Sequence, residues 1–167
     1  MQSIDTLLSL AEVAITLAGF SAIVVVFKRN QQGRWDVVHA DQFHGMVIHA
    51  AVAVAFCVLP TALNVFVQDA ATTLRIACAV LGVQVCLHSL GVMFFSTTSR
   101  LAKGLLSLGL LVGLLQFGVF TDWGAHREFD LYLFGIIWHI LQAGLLFVML
   151  IWVPAKDIDH PANDRSD

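Results

Sequence analysis

Glu12, His49, His88 and His139 are the acidic and imidazole side chains of this sequence that fall well inside long apolar runs rather than between them. Groups of this kind can handle protons. Imidazole has an unperturbed pKa of about 6.5 and two nitrogens that accept and donate in turn. Ionisable groups inside a membrane also mark proton relays and ion pathways as a class.

The residues around them repeat at helical spacing. Ser9, Glu12, Thr16 and Gly19 recur every three or four positions and form one small, polar face, which is expected to look into a bundle interior or a wet cavity. Gln84, His88 and Gly91 make a second stripe, and Gly135, His139 and Gln142 a third. Gly109 and Gly113 stand in GxxxG spacing with Gln116 at the next turn, a packing signal common to many membrane helices.

With each run centred in a bilayer at 1.5 Å per residue, Glu12 lies about 8 Å to the outer side and His139 about 4 Å to that side. His88 lies about 4 Å and His49 about 10 Å to the inner side. Converging faces would then make a descending ladder of four titratable groups. The plainer alternative for each histidine is a satisfied hydrogen bond between helices, and for Glu12 a neutral packing residue.

A second chemistry uses the same side chains, because imidazoles on facing helices can ligate haem iron. His88 and His139 are the pair for this alternative, and the absence of a Cys-x-x-Cys-His attachment site makes any such haem b noncovalent. His39, His44 and His49 recur at intervals of five, which do not share a face well, so a metal cluster there is a weak expectation. Cys57, Cys78 and Cys86 have no ligand-type spacing and read as small apolar packing residues.

The elements that position these groups follow from composition. Hydrophobic residues make up 58% of the chain, charged residues 13%, and the mean hydropathy is +0.81, far from the balance of a soluble domain of 167 residues. Five runs approach or exceed the roughly 20 apolar residues that cross a bilayer. They cover about 7–27, 45–67, 74–95, 104–120 and 131–153, with the fourth the shortest. Stretches such as LVGLLQFGVF lack the alternation of a β-barrel strand, so the expected fold is an all-α polytopic bundle.

Short polar segments separate the runs, with Thr121 to Gly124 breaking the chain after the fourth and Asp130 placed to cap the fifth. Trp35, Trp123 and Trp152 fall near expected interfaces, while Trp138 is deeper. Residues 154–167 read as a polar, disordered cytoplasmic tail.

Orientation comes from the basic residues. Seven Lys and Arg fall on one side of the expected spans and two, Arg75 and Arg127, on the other. The positive-inside rule then puts the C-terminus in the cytoplasm and the N-terminus outside, in a bacterial-type inner membrane. No basic stretch precedes the first run, and Lys28 and Arg29 follow it, which suits a retained first helix rather than a cleaved signal.

No phosphate-binding loop, exposed nucleophile arrangement or basic nucleic-acid patch is present in the sequence. The expectation is a membrane protein that is not an enzyme, resides in lipid, and associates with itself or with another membrane protein. Its candidate ion or proton pathway comprises Glu12, His49, His88, His139, Thr16, Gln84 and Gln142, with Gly19, Gly109 and Gly113 as packing residues. The alternatives are a structural or accessory subunit without transport, and a noncovalent haem protein.

Overall fold

The computed structural model describes residues 2–32, 37–95, 100–121, 124 and 126–152. They form five helices: α1 (Gln2–Gln32), α2 (Val37–Val67), α3 (Ala70–Phe95), α4 (Arg100–Gln116) and α5 (Glu128–Trp152), with a 3-10 turn at Phe117–Phe120. No strand occurs among the described residues. The polar tail, Trp35 and Trp123 lie outside them.

Four helices contain stretches long and apolar enough to cross a membrane, at Ile4–Phe27, Ala40–Val67, Ala70–Phe94 and Glu128–Trp152. The fourth of the expected runs is the short one. Its 17-residue helix and the four-residue 3-10 turn nevertheless extend together roughly 33 Å, comparable to a hydrocarbon core of about 30 Å.

Side-chain placement has the inverted character that lipid favours. Phe20, Phe27, Phe66, Leu87 and Phe94 point outward, whereas the buried positions include Ala14, Ala53, Ala77 and Ala143, each fully covered. Small interior residues let helices approach closely, and the large apolar ones meet hydrocarbon. The chain is a multi-pass, all-α membrane bundle.

The helices pack with clear register. α2 and α5 share the most extensive interface. Between α3 and α4, glycines set the separation: a Cβ on Gly113 would stand 2.6 Å from Cys86 Sγ, and one on Gly109 would stand 2.6 Å from Ser89 Oγ. A Cβ on Gly82 would meet Gln116 Cβ and the Gly113 carbonyl, both at 2.9 Å. By contrast nothing lies within 4 Å of the position of a Gly19 Cβ, so that glycine makes no close approach within the chain.

All five helices begin earlier than their apolar runs, α1 at Gln2 rather than 7 and α4 at Arg100 rather than 104. α2 starts at Val37 rather than 45, α3 at Ala70 rather than 74, and α5 at Glu128 rather than 131. Asp69 caps α3, accepting a hydrogen bond at Oδ2 from the Thr72 backbone N–H at 2.8 Å, and Gln68 before it takes a positive φ of 55° to reverse the chain. Hydrogen bonds from the Thr72 side chain and then its backbone N–H hold the Asp69 carboxyl below its ordinary range. Asp130 lies within the first turn of α5 rather than ahead of it. Glu128 occupies the start instead and pairs with Arg75 of α3 at 3.0 Å.

Candidate functional site

Three helices bring their histidines to one level of the bundle. His49 on α2 and His139 on α5 are buried, 6% and 1% exposed, and their Nδ1 atoms are 3.1 Å apart. His139 Nε2 lies 2.9 Å from Gln84 Oε1 on α3. The His88 ring meets the His49 ring edge-on, with centroids 4.8 Å apart. Phe56, just under two turns along α2 from His49, stacks parallel to His139 at 6.5 Å.

These contacts leave two complementary placements of the hydrogens. A glutamine Oε1 only accepts, so with this oxygen toward the ring His139 carries its proton on Nε2 and presents a lone pair at Nδ1. The Nδ1···Nδ1 contact then requires His49 to donate from Nδ1, leaving its Nε2 as an acceptor. A half-turn of the Gln84 amide reverses both roles. The chain His49, His139, Gln84 is therefore a directional hydrogen-bonded wire with two opposite polarities.

The four candidate titratable groups do not form a ladder. His49 and His139, expected at depths some 14 Å apart at 1.5 Å per residue, are in direct contact. The reason is that α2 extends well before its apolar run, so the middle of the helix lies close to His49.

Glu12 is the larger correction. Leu7, Ala11, Ala14 and Ser21 form the covered face of α1, and Ser9, Glu12, Thr16 and Gly19 are turned to the outside of the bundle. Glu12 and Thr16 line an open groove with Phe20 of α1 and Phe147 of α5, away from the buried histidines. The small residues won the inner face because α1 packs closely there, and closeness excluded the longer polar side chains.

Gln142, three residues after His139, has a buried Oε1 without a hydrogen-bond partner, and Trp138 Nε1 beside it is also unpaired. Buried polar atoms of this kind are normally satisfied by water. Gln142 lies about one turn beyond His139 along α5, on the side away from Tyr132.

On the other side of the histidine level lies a connection the spacing of ionisable residues does not reveal. Pro60 lies inside α2 and has no N–H to give the carbonyl four residues back, that of Phe56. The Tyr132 hydroxyl of α5 donates to that carbonyl instead. Gln116 reaches across from α4 and donates through Nε2 to the Leu131 carbonyl at 2.9 Å, while a Cβ on Gly135 would stand 2.8 Å from the same Nε2. The signal for this layer is a proline in an apolar helix opposite a lone tyrosine.

Haem ligation does not fit this packing. A porphyrin must lie between its axial nitrogens, whereas His49 is packed against both His88 and His139 and hydrogen-bonded to the latter. Among the described residues no group of three His, Cys, Asp or Glu side chains is placed to hold a metal ion. His39, one member of the expected cluster, has no described side chain.

Compared with protein-family models, with curated proteins and with solved structures, the chain matches none.

Proposed function

We propose that this protein conducts protons through its membrane-spanning bundle, with the His49–His139–Gln84 chain as the central relay. The observation that carries the reading is the direct, buried contact between two imidazole nitrogens, a contact that needs one ring to donate and the other to accept, with a third ring against the first. A proton arriving at His49 Nε2 converts that ring to imidazolium, which passes its Nδ1 proton to His139. His139 then releases its Nε2 proton to water, since the Gln84 amide oxygen accepts a hydrogen bond but not a proton, and rotation of that amide accommodates the changed ring. Water at Gln142 and Trp138 extends the path beyond the histidines. In the same proposal the protein lies in a bacterial-type inner membrane with the C-terminus in the cytoplasm, on the distribution of basic residues.

Glu12 stands outside this relay because of its outward face. The test is proton entry into liposomes under an imposed pH gradient. Wild type and Glu12→Gln are expected to exceed empty vesicles by at least tenfold, and His139→Gln and His49→Gln to fall to the empty-vesicle rate while remaining folded. Undiminished flux in both histidine variants would remove the relay and leave an assembly role as the better account.

A further inference from the structure

The outward groove between α1 and α5 calls for a separate explanation. Its volume is about 580 Å³, and its walls include Ser9, Glu12, Thr16, Leu17, Phe20 and Phe147. Glu12 is the one titratable group among the lining residues. It stands eight residues into the apolar stretch Ile4–Phe27, roughly 12 Å along the helix axis, so the groove opens to hydrocarbon rather than to water. Glu12 is exposed there.

A carboxylate in such surroundings is strongly disfavoured unless it takes up a proton or meets a cation. We infer that the groove is a binding site for a lipophilic organic cation, with the Glu12 carboxylate as counter-ion and Phe20 and Phe147 against its apolar body. The aromatic faces suit a positive charge as well as hydrocarbon substituents, and Ser9 and Thr16 supply hydroxyls beside the acid. A bare metal ion is a poorer match, since calcium takes six to eight oxygen ligands and magnesium demands a near-ideal octahedron. A second copy of the chain, seated through the same face, would bring a second Glu12 against the first, and like charges oppose each other. A cation complements the groove where another copy repeats its charge.

This site is independent of the histidine relay and survives if that relay is absent.

The experiment uses the full chain in lipid nanodiscs with radiolabelled tetraphenylphosphonium as probe, measured by equilibrium dialysis. Expected is saturable binding of one probe per chain that weakens at least tenfold in Glu12→Gln and several-fold in Phe147→Ala. On wild-type protein alone, the probe should protect Glu12 from modification by a hydrophobic carbodiimide, which decides the matter should the Gln variant fail to fold. Equal binding to wild type, Glu12→Gln and empty nanodiscs, or modification unaffected by the probe, would overturn the site. Efficient crosslinking of Val13→Cys between two copies, undisturbed by the probe, would overturn it in favour of a second copy as the occupant.

Discussion

The Tyr132 hydroxyl on α5 donates to the Phe56 carbonyl on α2, the acceptor that Pro60 leaves without its helical partner. Both residues are buried, so the bond replaces one that water cannot supply. It ties the two most extensively packed helices together just under two turns from the histidine pair.

Removing that donor has a definite expected outcome. Tyr132→Phe leaves the Phe56 carbonyl unsatisfied and should lower unfolding stability in detergent by about 1–3 kcal/mol. Pro60→Ala returns an N–H to the helix, so in that background the tyrosine substitution should cost less. A coupling of at least about 0.5 kcal/mol between the two sites is expected in a double-mutant cycle. Strict additivity would show that the carbonyl does not link them.

The glycines of the α3–α4 interface supply a contrast with Gly19. A Cβ at Gly113 would stand 3.1 Å from both the Gly82 carbonyl and the Cys86 backbone nitrogen as well as 2.6 Å from Cys86 Sγ, and backbone cannot step aside. Gly113→Ala should therefore destabilise the bundle by about 1–3 kcal/mol, seen as earlier thermal unfolding in detergent. Gly19→Ala meets nothing within 4 Å and should leave unfolding unchanged within about 0.5 kcal/mol.

How much of this arrangement the residues announce differs from element to element. The five helices are legible because apolar runs of bilayer length have few other outcomes. Their starts at Val37, Ala70 and Glu128 are not, since hydropathy marks where lipid begins and a helix continues through polar residues beyond it. That gap is what misplaced His49 on the depth scale. The polar stripes through His88 and His139 identified inward faces, yet the same reasoning failed for Glu12, because Ala11 and Ala14 offered α1 a closer-packing face. Gln84 emerged as a partner of His139 through three-dimensional register, which no single-helix pattern encodes. Pro60 and Tyr132 carry a connection whose logic appears only when the missing N–H is counted against a donor on another helix.

At the α2–α3 link, pH dependence has a clear sign. Asp69 is held below the ordinary aspartate value of 3.8 by the Thr72 hydrogen bonds, with nearby Arg75 adding to the effect. A depressed folded value means that the cap stabilises α3 above the ordinary range and that this contribution disappears as pH falls through the folded value. Thermal unfolding followed by circular dichroism should show wild type above Asp69→Ala at pH 7, with the difference shrinking on acidification below pH about 3.8. A difference that persists undiminished in acid would place the effect of Asp69 elsewhere than in its charged cap.

The central claim is the hydrogen-bonded polarity of the histidine pair, and nitrogen-15 NMR of ring-labelled protein in bilayers reads it directly. With Nδ1 atoms 3.1 Å apart and Gln84 Oε1 facing His139 Nε2, the account predicts opposite neutral tautomers near pH 7.5. His49 should carry its hydrogen on Nδ1 and His139 on Nε2, with His139→Gln removing the hydrogen-bond signature from His49. If both rings instead carry their hydrogens on the same nitrogen, or if the His49 signals are unchanged in His139→Gln, the two imidazoles are not donor and acceptor to each other and the relay is contradicted.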